Sequence, residues 1–198
     1  MANEIARRLV HASGATIPGL YLLNEGFFGW EYLAWDPYVR YVLLAGVAIA
    51  VVLETVRLVV GLDWIIFEKL TREYEQDSPA GYAMYVVSGS VTGLLFPPDV
   101  AVPAILMLTL ADPVSGLLSS GELRTVKRPH VLAVMFAVCT GLAVPFVTLP
   151  AAVLGGVAAT LADGVKPQIR GYVVDDNLTI PVVAAVAMTA GLTYLPAL

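Results

Sequence analysis

An aspartate followed by a proline, Asp112-Pro113, interrupts the apolar run AILMLTLADPVSGLL, and further along DDNLTIP sets Asp175, Asp176 and Asn177 at the entrance of another. Charge beside hydrocarbon is costly unless it is solvated, paired or bound to a cation. Carboxylate and amide oxygens are the donors that hard divalent cations prefer, so Asp112, Asp176 and Asn177 together describe a site for an ion such as Mg²⁺. Two plainer readings compete. An Asp-Pro step can mark a helix end. Asp176 or Asn177 can cap a helix beginning at Leu178, whose N-terminus suits negative charge. Capping needs one such side chain, whereas the segment offers three.

Between these motifs lies SSGELRTVKRPH (119–130), which places Ser119, Arg124, Lys127 and Arg128 in one Gly/Ser-bearing loop. Three cations on a flexible turn can surround phosphate, or they can hold anionic headgroups and keep the loop cytoplasmic. The spacing is not that of a Walker loop. His11, four residues after Arg7, is either a satisfied buried histidine or a contact to a substrate hydroxyl. Glu54 and Arg57 stand at i and i+3 and are expected to pair as a structural unit on one helix face. The small residues Ser88, Gly89, Ser90 and Gly93, and likewise Gly155 and Gly156, are expected to pack helices closely. No Ser/His/Asp order, zinc-ligand spacing or Rossmann fingerprint is present.

The elements that must position these groups are membrane helices. Of 198 residues, 58% are hydrophobic and 14% charged, against about 25% charged in an ordinary soluble domain. Apolar runs long enough to cross a bilayer predict an all-α bundle of about seven spans, near 5–23, 38–62, 81–96, 100–118, 131–149, 151–165 and 178–195, in a single domain covering 1–198. The third and sixth are short. The segment at 63–80 alternates Trp64, Ile65, Phe67 and Leu70 with charges and is expected to be an interfacial amphipathic helix. The N-terminal stretch is expected to be retained as the first helix rather than cleaved. The lone Cys139 is expected to be a buried thiol, and a net charge of −5 with sparse basic residues argues against nucleic acid.

On this path ten of the eleven basic residues, all but Arg40, fall on one side. The positive-inside rule then makes the N-terminus cytoplasmic in a cell membrane. His11, Glu54, Arg57, Asp112, Asp163, Asp175, Asp176 and Asn177 all lie near the cytoplasmic ends of their spans, predicting one shared polar cavity there.

These pieces resemble the CTP-dependent polyprenol kinases, the family that includes dolichol, phytol and yeast-type diacylglycerol kinases. RRLVHASG (7–14) resembles the family's basic-basic opening with its histidine, and LETVRL (53–58) its Glu-x-x-Arg helix. LADPVSGLLSSG (110–121) resembles its Asp-centred helix end, and DDNLTIP (175–181) is the most specific match. The family's Lys-Ser-x-Glu-Gly-Ser element is replaced here by VKRPHVLAVMF (126–136), which keeps Lys127 alone. The acidic balance is similar to that of haloarchaeal members.

The resemblance implies transfer of the γ-phosphoryl of CTP to the hydroxyl of a membrane polyprenol at the cytoplasmic face. Asp112 and Asp176 would be catalytic and, with Asn177, would hold Mg²⁺. Ser119, Arg124, Lys127, Arg128 and Lys166 would face the phosphates, and His11 the alcohol. Asp112 is also the first candidate to accept the alcohol proton. A CTP-dependent lipid cytidylyltransferase is the nearest enzymatic alternative. A small transporter is the non-enzymatic one, although transporters gather their binding groups near the bilayer midplane.

Overall fold

The computed structural model describes residues 4–62, 64–71, 75–119, 126–165, 168–169, 172–173 and 175–196. Along the chain the helices are α1 (Glu4–Ser13), α2 (Thr16–Leu23), α3 (Arg40–Thr55), α4 (Ile65–Leu70), α5 (Gly81–Leu95), α6 (Pro98–Leu106), α7 (Asp112–Leu118), α8 (Pro129–Ala143), α9 (Leu149–Gly164) and α10 (Asp176–Tyr194). A two-residue antiparallel pairing of β1 (Gln168–Ile169) with β2 (Tyr172–Val173) precedes α10. The expected helical class is thus observed. Proline sets several helix starts: Pro98 and Pro129 stand at the first position of α6 and α8, and Pro150 at the second of α9. A missing amide hydrogen is harmless there.

Among the described residues, three helical stretches are long and apolar enough to cross a membrane: Trp35–Val60, which contains α3, Pro98–Leu118, which joins α6 to α7, and Asp176–Tyr194. They mark a membrane protein. The other apolar helices have 15 residues in α5 and α8 and 16 in α9, against about 20 for a full crossing. Helices α5 and α9 match the short runs expected at 81–96 and 151–165, whereas α8 stops well before the end of the run at 131–149. The predicted first span is two helices, because the chain turns at Gly14 and Ala15. A Cβ at Gly14 would overlap the Tyr85 hydroxyl, so this turn fits only a glycine.

The core is built from small side chains. Ala104, Ala111, Ala143, Ala152, Ala159, Ala184 and Ala185 are fully buried, and Met107, Met135 and Met188 fill the gaps between them. Cys139 is buried here as a free thiol. The closest helix approach is α9 against α10. A Cβ at Gly155 would meet Met188, and one at Gly191 would lie 2.6 Å from the Ala151 Cα. Gly156 likewise abuts Thr140 of α8. Pro98–Leu118 is central, with 61% of its most apolar stretch buried, whereas Trp35–Val60 is peripheral at 11%.

The segment at 63–80 departs from the expected amphipathic helix. Among the described residues there, the α-helix is Ile65–Leu70. Trp64 and Ile65 are exposed, but Phe67 is buried, so the apolar residues do not form a single membrane-facing stripe. At the far end of the long α3 stretch, Phe28, Trp30 and Tyr32 are exposed and stack in series, at 4.6 and 5.3 Å between ring centroids.

Two glycine substitutions test this packing. Gly191→Ala should lower stability by about 1–3 kcal/mol, because backbone rather than a movable side chain opposes the new methyl. Gly141→Ala on α8 meets nothing within 4 Å and should raise stability by up to about 1 kcal/mol through helix propensity. Thermal unfolding in detergent measures both, and equal effects would refute the close α9–α10 contact.

Candidate functional site

Asp112 does not end its helix. The turn before it, Met107–Ala111, is widened to π-type geometry, and α7 continues from Asp112 with Pro113 in its first turn. The wide turn lies where the amide that proline lacks would otherwise be missed. The helix-end reading of Asp112 is therefore overturned.

The N-terminus of α10 divides its three polar residues. The cap is Asp175, one residue earlier than the sequence predicts. Its backbone is extended, at φ −74° and ψ 131°, and its side chain accepts from the Asn177 amide at 2.8 Å. Asp176, already helical and only 7% exposed, is thereby released for the interior. Asn177 is buried. Its carbonyl accepts from the Ser88 hydroxyl of α5 at 2.5 Å, and its amide side chain lies against Gly81 beside the carboxylates of Glu75 and Asp175.

Asp112, Asp176 and Asp163, the last from the end of α9, each present a carboxylate oxygen, and these oxygens lie within 4.8 Å of one another. Asp163 is fully buried. Its oxygens accept from the Lys127 ammonium at 2.5 Å and the Ser115 hydroxyl at 2.7 Å, and Lys127 also donates to Ser115 at 3.0 Å. Backbone contacts place Lys127 there: Val126 bridges to Val165, and the Lys127 amide donates to the Gly164 carbonyl at 3.1 Å. His11 Nδ1 stands 3.4 Å from Asp112, and its ring stacks on Tyr85 at 4.5 Å. The Tyr85 hydroxyl donates to the His11 carbonyl at 2.8 Å. Arg8 donates to the Gly116 carbonyl at 2.9 Å, just beyond Asp112.

Three like charges this close repel strongly where little water screens them. Lys127 offsets one of them. A hard divalent cation on the remaining oxygens would offset the rest, and an all-carboxylate donor set suits Mg²⁺.

Of the residues the sequence singles out, Asp112, Asp176, His11 and Lys127 are brought to one place. Lys127 faces Asp163 rather than open solvent. Ser119 donates to the Ser115 carbonyl at 3.0 Å, and exposed Arg128 precedes the first residue of α8. Arg124 and Lys166 lie outside the described residues, as does the whole of 120–125. Asp163, Ser115 and Tyr85 are the members that sequence reasoning did not assign. For Asp163 the signal was its place among the polar helix ends.

Glu54 and Arg57 form the expected pair, at 2.7 and 3.1 Å. Arg57 also donates to the carbonyls of Glu75, Gln76 and Ser78, while Glu54 accepts from the Ala80 amide. The pair thus clamps the chain entering α5.

No protein-family model matches this chain, and neither a curated protein nor a solved structure matches it.

The Lys127–Asp163 pair is testable by a double-mutant cycle. Lys127→Met should cost about 3 kcal/mol by leaving a buried carboxylate uncompensated, and adding Asp163→Asn should restore much of that loss. Chemical denaturation in detergent reads the cycle, and additive single effects would show that the two side chains do not hold each other.

Proposed function

We propose that this protein is a lipid kinase that transfers the terminal phosphoryl group of a nucleoside triphosphate to the hydroxyl of a membrane alcohol. The observation that carries the reading is the convergence of Asp112, Asp163 and Asp176 from three separate helices within 4.8 Å, with His11 beside Asp112. CTP as donor and a polyprenol as acceptor follow from the resemblance of RRLVHASG, LETVRL, LADPVSGLLSSG and DDNLTIP to the polyprenol kinases.

Phosphoryl transfer needs positioning and charge neutralisation more than covalent help. Asp163 and Asp176 are assigned to hold Mg²⁺, with Asn177 next to them in the first turn of α10. When bound, the ion would screen the phosphate oxygens and the charge that develops between them. Asp112 is assigned as the proton acceptor, for two reasons. It is the most exposed of the three carboxylates, at 17%, and it lies next to His11, which orients it. The alcohol oxygen attacks the terminal phosphorus, and its proton passes to Asp112. The bond from that phosphorus to the bridging oxygen breaks, and its electron pair leaves with the nucleoside diphosphate. Arg8, Arg124, Arg128 and Lys166 are the cations assigned to the phosphates. Ser119 and Lys127 act from behind them, through Ser115 and Asp163.

The reading includes a membrane path of seven crossings with the N-terminus and the aspartate cluster on the cytoplasmic side. Two features support it. On the path read from the sequence, the basic residues other than Arg40 fall on the side expected for Asp112 and Asp176. The exposed stack of Phe28, Trp30 and Tyr32 lies at the opposite end of the 26-residue Trp35–Val60 stretch, where an interfacial aromatic belt belongs. A lipid alcohol carries its hydroxyl at the interface, and a nucleotide stays in water, so the reactants meet only at such an end.

Purified protein with labelled CTP or ATP, Mg²⁺ and a panel of dolichol, geranylgeraniol, phytol and diacylglycerol tests the assignment. Phosphorylated alcohol and nucleoside diphosphate are expected, and Asp112→Asn and Asp176→Asn should each reduce turnover by about a hundredfold or more without altering membrane insertion. Release of pyrophosphate would instead identify nucleotidyl transfer, and full activity in either variant would remove that residue from the mechanism.

A further inference from the structure

A cavity of about 390 Å³ opens between α2, α3, α5 and α6. Its end nearest the aspartate cluster is formed by Gly14, Tyr85 and Thr109. Tyr85 is the residue whose ring stacks on His11, and Thr109 lies three residues before Asp112 in the same helical stretch. From there the cavity follows α3 from Ile49 to Val42, about 10 Å of helix.

The lining offers a polar ligand little: its three hydroxyls already donate to backbone carbonyls and keep only acceptor capacity. The Tyr85 hydroxyl donates to the His11 carbonyl, Ser90 to the Leu43 carbonyl at 3.1 Å, and Thr109 to the Leu106 carbonyl at 3.5 Å. The rest of the wall is aliphatic side chain and glycine. Water would find too few partners to be held there. The cavity also has a lipid-facing side, because Val42 and Ile49, which line it, are 40% and 59% exposed on the peripheral helix. Gly89 faces this space. A Cβ built on it meets nothing within 4 Å, unlike Gly93 one turn on, where it would strike Leu43. The small residues of α5 therefore have two uses: Gly93 packs helices, and Gly89 leaves room.

We infer that this cavity holds the first part of the acceptor's hydrocarbon chain, entered sideways from the bilayer past α3, with the hydroxyl delivered past the Tyr85–His11 stack to Asp112. The inference rests on the lipid-alcohol reading and adds to it a binding site in which Gly89 sets the room for the chain. The occupant is a long-chain monoalcohol. The cavity ends at Tyr85, whose ring stacks on His11 beside Asp112, and its wall away from that end is mostly hydrocarbon.

A geranylgeraniol analogue bearing a diazirine on its chain, added to the full-length protein in detergent micelles and irradiated, tests this without requiring turnover. Labelled peptides should map to α3 and α5, unlabelled geranylgeraniol should compete, and Gly89→Leu should cut labelling about tenfold or more. The leucine fills the cavity without opposing backbone, and Gly141→Ala serves as a folded control. Labelling that falls on other helices, or that persists in Gly89→Leu, overturns the site. Alcohol phosphorylation without cavity labelling keeps the kinase reading and overturns this one. Cavity labelling that competes and responds to Gly89→Leu, in a protein that phosphorylates no alcohol, supports the site and counts against the kinase reading.

Discussion

Gathering three carboxylates between apolar helices is the constraint on which the site depends. Each carboxylate has its own neighbour, and each neighbour comes from a different part of the chain. Lys127, from the segment before α8, and Ser115 of α7 hold Asp163 of α9. His11 of α1 faces Asp112 of α7. Asp176 stands in the first turn of a 19-residue helix, where the positive end of the backbone dipole favours a carboxylate. These interactions cannot form unless α1, α7, α9 and α10 are mutually positioned. The small residues of α9 and α10 let two of those helices approach that closely.

A second polar layer fixes α5 to the same centre. Arg57 gathers three consecutive-region carbonyls and, through Glu54, the Ala80 amide. Four backbone groups that would otherwise need water are satisfied at the entry to α5. One turn into that helix, Tyr85 stacks on His11; just beyond, Ser88 donates to the Asn177 carbonyl. Helix α5 thus touches both partners of the aspartate cluster, the histidine beside Asp112 and the first turn that carries Asp176. A disturbance at Glu54 or Arg57 reaches the site through the placement of α5, not through charge at the site itself.

The sequence made Asp112 and Asp176 legible because a carboxylate inside or beside an apolar run is too costly to be incidental. It made the Glu54–Arg57 pair legible because i,i+3 spacing on a helix is local. It did not separate Asp175 from Asp176. Which of two adjacent aspartates caps depends on where helical backbone begins, and that is decided by one residue's dihedral angles. Lys127 read as one of three loop cations, and its partnership with Asp163 depends on the Val126–Val165 bridge, a contact between segments far apart in the chain. The long crossings at Trp35–Val60, Pro98–Leu118 and Asp176–Tyr194 follow from unbroken apolar runs. The shortened α8 stops at Ala143, just before Pro145, a break that a hydropathy window averages away.

Polar and apolar spaces in this protein meet at one stacked pair. On one side of His11 and Tyr85 lie carboxylates that favour cations and phosphate. On the other lies a mostly aliphatic cavity whose few hydroxyls donate to backbone carbonyls. A side chain that merely divided the two spaces could be any large residue. An imidazole also keeps a ring nitrogen 3.4 Å from Asp112, while the phenol ties the stack to the backbone of α1 through the His11 carbonyl. The tight turn at Gly14 makes room for that hydroxyl. The partition is therefore rigid, with its polar atom aimed at the acid. An amphiphile with one hydroxyl at the head of a hydrocarbon chain is the ligand whose own polarity changes at the corresponding point.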